Sequence, residues 1–437
     1  MTSARRYDPA APQYQRTVWW STAAPRPYTD TLTTDITADI AVIGAGFTGL
    51  TAALHLARAG AKVVVLEADA IGAGASGLNA GFVVPNFAKA DPAAVIARLG
   101  RERGERLLSM IGAGADRVFA TIRDHDIACD AEQVGWMHVA HSPAMVEVLA
   151  RRAEAWRDLG RPVSMLDEAS ARARSGLKHC VGALLDVSGG MLHPLNYAYG
   201  LAGAVTALGG HIYERCPVGR IERAGHGWRL GCGERTVHAE QVLLCTNAFE
   251  QGAARRLGRS TVPLTVYQIA TQPIDAAIVR RISPQRNPVA DTRANLMTYR
   301  LDRDNRLISG GMAILPVRAE ERMARMIVER LQRELALPET PEAAFVWRGT
   351  AAMTTDFLPH LYEFGPGFLG GIGCNGRGIA LTAMLGEVMA AAAGGARLQD
   401  LPIGLARAGR IPMRMLAVAA PSFAIAQARW QDKQAGL

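Results

Sequence analysis

The apolar positions of this chain follow two periods, and their order alternates strand with helix. After Asp39, Ile40-Ala-Val-Ile43 is a continuous apolar run of the kind found in a strand buried on both faces. Gly44-x-Gly46-x-x-Gly49 reads as its turn into a helix. Val63-Val-Val-Leu66 reads as a second buried strand ending at Glu67, 23 residues after Gly44. Residues 91–128 carry a helical stripe of Val95, Leu99, Leu107, Leu108, Ile111 and Val118, and a strand over 134–140 and a helix over 144–159 follow. Pro194 suits the first turn of a helix that runs to 208, where Gly209-Gly210 stops it. A strand begins at His211. Segments 218–222, 227–230 and 236–240 suggest a small meander, and 241–246 a central strand. Residues 262–316 look β-rich, a helix is expected over about 318–336, and the glycine-rich stretch 367–378 closes onto a helix over about 379–393. Residues 1–37 lack a helical period and read as an extended arm anchored by Trp19 and Trp20.

This order implies a nucleotide-binding domain in three pieces, 38–90, 189–250 and 345–400. Two inserts, 91–188 and 251–344, build a second domain, and 401–437 is a C-terminal packing segment. Composition leaves the picture intact. A chain of 437 residues can bury a large shared core, and 49% hydrophobic with 20% charged residues is a globular balance. The net charge of +8 comes from scattered arginines with no basic run interleaved with aromatics, so no nucleic-acid partner is expected. A basic surface favouring anionic substrates is the softer reading. Lysine chemistry has four candidates, Lys62, Lys89, Lys178 and Lys433. The six cysteines show no CxxC and no metal spacing, so no metal is expected and a reducing compartment is. With no apolar h-region at the start and no uncharged apolar run of about 20 residues, the expected location is the cytoplasm. The apolar segment 411–430 is read as too broken by Pro412 and Pro421 to span a membrane; it packs on the body or touches a membrane surface.

Strand, glycine turn, helix, strand and acid together form the dinucleotide fingerprint. Gly44 permits the tight turn, Gly46 lets the backbone approach a pyrophosphate, and Gly49 lets helix and strand pack closely. The helix N-terminus faces the phosphates, and Glu67 suits a ribose hydroxyl. The plain alternative is a glycine-rich turn of an ordinary α/β domain, and a nicotinamide-dependent dehydrogenase shares the same fingerprint. A second stretch narrows the choice. Gly72-Ala-Gly-Ala-Ser-Gly-Leu-Asn-Ala-Gly81 has too little side-chain bulk for a packed helix, and its backbone and Ser76 can approach a long ligand. Its apolar sequel Phe82-Val-Val-Pro85 argues against a flexible surface loop.

Further landmarks are Gly190-Met-Leu-His-Pro194, Cys216-Pro-Val218, Leu244-Cys-Thr-Asn-Ala248, Tyr299-Arg-Leu301 with Arg306-Leu-Ile-Ser-Gly-Gly311, and Gly373-Cys-Asn-Gly-Arg-Gly378. In their order, over roughly residues 35–430, the chain resembles the FAD-dependent amine and amino-acid oxidoreductases of the D-amino-acid oxidase superfamily. Its pattern is nearest to the gamma-glutamylputrescine oxidase and glycine or sarcosine oxidase-like members. The resemblance implies an α/β fold with a discontinuous Rossmann-like FAD-binding domain of the glutathione-reductase type and an inserted antiparallel-sheet substrate domain. It also implies roles. Gly44, Ala45, Gly46, Phe47, Thr48 and Gly49 surround the pyrophosphate, and Glu67 and Ala68 the adenosine ribose. Ala75, Ser76, Gly77, Leu78, Asn79, Ala80, Gly81, Phe82 and Val83 run beside the ribityl chain and ring. Val218 meets adenine through its backbone, and Thr246 and Asn247 lie near the pyrophosphate. Gly373, Cys374, Asn375, Gly376, Arg377, Gly378 and Ile379 bring a helix N-terminus to the flavin N1–C2 edge, where negative charge develops on reduction.

The implied reaction is hydride transfer from an amine-bearing carbon to flavin N5, giving an imine that hydrolyses, with electrons passed to O2. Transfer to a quinone or carrier is the alternative, and a non-catalytic flavin-binding subunit the second. The implied partner is a small amine or amino acid. No obligate side-chain base is expected. Pocket candidates are Tyr267 and Gln268 on a strand over the ring and Tyr299 on the facing strand, then Phe82, Trp347, Met353 and Asn375. Arg300 reads either as a bidentate partner of a substrate carboxylate or as a structural arginine. His193 reads as a helix cap. Three departures from the family stand out. The cysteine through which sarcosine oxidases attach FAD falls at Gly349, so FAD is expected to be non-covalent. Their lysine near the flavin has no counterpart in 263–270, which weighs against fast oxygen reduction. Arg377 stands where members often have histidine, and either tunes the flavin or faces solvent.

Overall fold

The computed structural model describes residues 10–249, 251–406, 409, 411 and 413–434. The two apolar runs of the fingerprint lie side by side and parallel, Ile36–Ile43 against Val63–Leu66. Every residue of Val63–Leu66 is buried, as a strand covered on both faces requires. Arg235–Leu244 pairs parallel on the other edge of Ile36–Ile43, where the sequence suggested a meander strand and a separate central strand. His211–Tyr213 extends the sheet beyond Val63–Leu66, and Phe368–Ile372 extends it beyond Arg235–Leu244. The hairpin of Val218–Ala224 and Gly227–Cys232 joins Arg235–Leu244 antiparallel. Between the first two strands runs the helix Phe47–Arg58. It packs against the closing helix Gly378–Ala393, and Gly386 permits the close approach: a Cβ there would stand 2.6 Å from the Thr48 carbonyl oxygen.

A second sheet of eight strands takes the order Ala343–Met353, Val262–Pro273, Arg306–Gly311, Thr298–Leu301, Val289–Asp291, Trp136–Ala140, Gly182–Asp186, Val163–Leu166. It is antiparallel as expected except where Val289–Asp291 runs parallel to Trp136–Ala140. Residues 345–353, grouped above with the nucleotide-binding pieces, belong to this second sheet and pair with Val262–Pro273 over their length. The helix Ala319–Glu334 covers one face of the sheet and buries Met323, Ile327 and Leu331 against Tyr267, Tyr299 and Leu307.

Several local expectations change. The stretch 91–128 divides into Pro92–Leu99, Arg101–Gly112 and Gly114–Asp124, the first break falling at Gly100 with φ +79°. The N-terminal arm contains a short helix, Val18–Thr22, because the Thr17 hydroxyl caps it by accepting from the Trp20 N–H at 3.0 Å. Trp19 is buried and Trp20 is partly exposed. The small-residue run does form one helical turn, Ala75–Leu78, packed so tightly that a Cβ on Gly77 would overlap the Gly72 carbonyl oxygen. The terminal helix Arg414–Gln434 continues through Pro421, while Pro412 lies outside the described residues.

Candidate cofactor and active site

The glycine turn is shaped by backbone. Gly44 has φ +105°, and a Cβ on it would stand 2.8 Å from the Cys245 carbonyl oxygen. A Cβ on Gly46 would stand 2.9 Å from Ser76 Oγ, and one on Gly49 would overlap the Gly44 carbonyl oxygen. The Phe47 N–H, in the first turn of its helix, donates to Ser76 Oγ at 2.9 Å, which ties the turn to the small-residue run. Phe47 is itself buried against Tyr197, Thr48 is buried, and Ala68 is exposed. The Glu67 carboxylate accepts from the Ala45 N–H at 2.7 Å and the Asp69 N–H at 3.0 Å. Burial raises its pKa, and those two N–H bonds oppose the rise. Val218 is buried, and a Cβ on Gly252 would stand 2.7 Å from its carbonyl oxygen. Asn247 takes φ +51° and donates through Nδ2 to the Thr350 carbonyl at 3.2 Å. Its neighbour Thr246 has a buried Oγ1 without a hydrogen-bond partner.

The other end of the run is gripped from outside. The Leu78 carbonyl accepts from Gln268 Nε2 and from Trp347 Nε1, each at 3.0 Å. The Asn79 carbonyl accepts from Trp19 Nε1 at 2.8 Å. The Gly81 carbonyl accepts from Arg300 Nη1 at 3.0 Å, and the same atom donates to Leu192 at 2.7 Å. The Asn79 side chain locks the run internally, donating to the Ser76 carbonyl at 2.8 Å and accepting from the Gly81 N–H at 2.8 Å. Phe82–Val83 continues as a strand paired with Gly190–Met191, and Ala80 is packed against the large core. So Arg300 is a structural arginine: burial lowers its pKa to about 10, and carbonyls take its donors. His193 caps the helix Pro194–Ala207, its Nδ1 accepting from the Asn196 N–H at 3.1 Å. Burial, then the charge of Arg300, lowers its pKa to about 3, so Nε2 keeps its proton and donates to Thr22 Oγ1 at 3.1 Å.

The strand faces correct two pocket candidates. Gln268 and Trp347 are register partners on the face that meets Leu78, and the Gln268 Oε1 is buried without a partner. Tyr267, one residue away, points to the opposite face and is packed with Met323 and Ile327 in the far core. Tyr299 shares that core, and its hydroxyl donates to the Ser175 carbonyl. Both tyrosines therefore support the sheet from behind. Gly349 lies on the strand beside the run, where a Cβ would stand 3.1 Å from Leu78 Cβ.

At the closing turn, Gly373 has φ +109° and Gly376 φ +81°; a Cβ on Gly376 or Gly378 would meet nothing within 4 Å. Asn375 is a structural residue: its Oδ1 accepts from the Thr354 N–H at 2.8 Å, and its Nδ2 donates to the Gly373 carbonyl at 2.9 Å. The Cys374 thiol is pushed up by burial, and Ile379 is buried. The Arg377 guanidinium lies 5.1 Å over the Trp136 ring, its Nε buried without a partner. Burial and then Arg152 lower its pKa to about 10. On the same strand as Trp136, His138 is held neutral, its pKa lowered to about 3 by burial and then by Arg377. Its Nε2 donates to the Asp291 carbonyl at 3.2 Å. The residues missed in the sequence are those that reach the run from far away, Trp19 above all; its paired tryptophans marked an anchor without saying for what.

Comparison with known proteins places this arrangement. A family model described as FAD dependent oxidoreductase matches residues 39–392. Gamma-glutamylputrescine oxidoreductase of Escherichia coli (strain K12) is 32% identical over 364 residues, covering 83% of this chain and 84% of that one. Among solved structures, glycine oxidase from Geobacillus kaustophilus superposes with a TM-score of 0.65 at 21% identity, over 83% of this chain and 95% of that one. L-proline dehydrogenase from P. horikoshii gives a TM-score of 0.70 at 17% identity, over 84% and 96%.

Proposed function

We propose, for a chain that belongs to the family of FAD dependent oxidoreductases, that it oxidises the carbon–nitrogen bond of a small amine or amino acid and passes the electrons to dioxygen. The observation that carries the reading is the buried Gln268 Oε1, left without a partner on the sheet face that grips the small-residue run. An acceptor in that position is matched by a substrate N–H.

The residues fit FAD as a non-covalent cofactor. Gly44 and Gly46 are half-buried and leave backbone within reach of a pyrophosphate, Thr246 Oγ1 lacks a partner, and Glu67 stands at the ribose position. Gly349 offers no thiol on the strand beside Leu78. Bound there, FAD would supply the two-electron oxidant for removal of a hydride from the amine-bearing carbon. The chain does the rest. Gln268 and Trp347 fix the Leu78 carbonyl, and with it the run from Ala75 to Gly81. Gln268 orients the substrate amine through Oε1. The buried aromatic surroundings exclude water and disfavour an ammonium, which keeps the amine in its reactive neutral form. The open N-terminus of Gly378–Ala393 stabilises negative charge by about 0.3–1 kcal/mol.

Transfer to a quinone is the second reading. It is favoured by the absence of lysine on Val262–Pro273, whose residue facing the run is the uncharged Gln268. One experiment addresses both. A panel of amines and amino acids is mixed anaerobically with the purified holoprotein, and flavin bleaching is followed. At least one amine should bleach it; failure of every amine would favour a binding subunit. Reoxidation of the bleached protein by dioxygen and by a soluble quinone then separates the acceptors.

A further inference from the structure

Away from the candidate site, the terminal helix Arg414–Gln434 leaves one face uncovered. Its inner side is fixed by three observations: Ile425 is 6% exposed, Arg429 Nη2 donates to the Met312 carbonyl at 2.7 Å, and Asp432 accepts from the Asn295 N–H at 3.1 Å. On the opposite side Leu416, Phe423 and Trp430 recur every seven residues, 66%, 75% and 62% exposed. Leu315 and Val317, 59% and 71% exposed, lie close in sequence to Met312, where Arg429 docks. Large apolar side chains aligned and exposed in this way mark an interaction surface. Among the described residues no helix is long and apolar enough to cross a membrane, so a membrane contact of this stripe is one at the surface.

Charge selects what covers it. Residues 251–261 hold Arg255, Arg256 and Arg259 and no acid; residues 411–434 hold Arg414, Arg429 and Lys433 against Asp432. Together they contribute +5 of the formal net charge of +8. The two segments meet, since the Ile411 N–H donates to the Arg259 carbonyl at 3.4 Å and Arg414 Nη2 to the Gly258 carbonyl at 3.3 Å. A second copy would set these like charges against each other across the stripe. An anionic bilayer would attract them, and a helix with an apolar stripe beside cations lies in such an interface rather than across it.

We propose that the protein docks peripherally on anionic lipid surfaces through the outer face of Arg414–Gln434. Leu416, Phe423 and Trp430 enter the boundary between headgroups and acyl chains, and the exposed Arg255 and Arg256 face the lipid phosphates. The proposal stands apart from the reaction assigned above.

The test is co-sedimentation of the holoprotein with phosphatidylcholine vesicles, with and without phosphatidylglycerol. Binding is expected with the anionic vesicles, with loss at high salt and a blue shift of Trp430 emission on binding. The Leu416→Ser/Phe423→Ser variant should lose binding about tenfold or more while its amine-driven flavin reduction is unchanged. Arg255→Gln/Arg256→Gln should weaken the preference for anionic over neutral vesicles. Equal sedimentation of parent and Leu416→Ser/Phe423→Ser protein would overturn the proposal, as would no binding to anionic vesicles. A lipid-free dimer that the same serine variant dissociates would overturn it in favour of a second copy.

Discussion

The two ends of the candidate site are built by different means. The fingerprint end is a matter of backbone: Gly44, Gly46 and Gly49 sit where a Cβ would strike Cys245, Ser76 or Gly44 itself. At the ring end the carbonyls of Leu78, Asn79 and Gly81 are held by Gln268, Trp347, Trp19 and Arg300. One end is intolerant of added atoms. The other is assembled from parts of the chain as distant as the N-terminal arm and the strand Ala343–Met353.

The sharpest way to break this contrast is Gly46→Val. The added carbons meet Ser76 Oγ and displace the Phe47 N–H bond, so FAD occupancy after purification should fall about tenfold or more, ~1.4 kcal/mol, while the fold survives. Full flavin retention would show that this turn is not where the cofactor is held. At the ring end, Gln268→Leu and Trp347→Phe each remove one donor to the Leu78 carbonyl, and each should cost ~1 kcal/mol in thermal or denaturant unfolding. Because the donors share one acceptor, the double variant should depart from additivity by ~0.5 kcal/mol or more, and simple addition would argue against a shared grip.

The legibility of the two ends follows the same line. Glycine spacing, a flanking apolar run and an acid declare themselves in sequence because backbone geometry restricts which residues are tolerated. The turn Ala75–Leu78 was not legible, because its helical form rests on contacts between Gly72 and Gly77 rather than on side-chain period. Nor was the facing of Tyr267 and Gln268. Val262–Pro273 has packed layers on both sides, so alternation carries no direction, and one residue of register exchanges the faces. The sheet membership of Ala343–Met353 was hidden for a similar reason: its partner lies some eighty residues earlier, in Val262–Pro273.

Acid offers a finer probe of the ring end. His193 and His138 have folded pKa values of about 3 against an ordinary 6.5. The unfolded chain therefore takes up protons first, so this stability is complete above pH 6.5 and is lost as pH falls toward 3. Thermal midpoints should decline over that interval, and His193→Gln should flatten the decline; an unchanged pH profile would remove His193 from the account. On activity the expected effect is nil for Tyr299→Phe, which should cost ~1 kcal/mol of stability through its lost bond to Ser175 and leave amine-driven flavin reduction untouched. Tyr267→Phe should likewise leave reduction unchanged. A large fall in reduction rate for either would move the tyrosines back to the reacting face.

The grip on Leu78 also sets an order of events during synthesis. The bond from the Phe47 N–H to Ser76 spans 29 residues and can form once the first βαβ segment and the small-residue run have emerged. Trp347 emerges 269 residues after Leu78. Until then the ring end lacks one of the two donors to that carbonyl, and long-range contacts of this kind are the slow ones to form. The link between the glycine turn and the small-residue run can thus form long before the grip on Leu78 is complete.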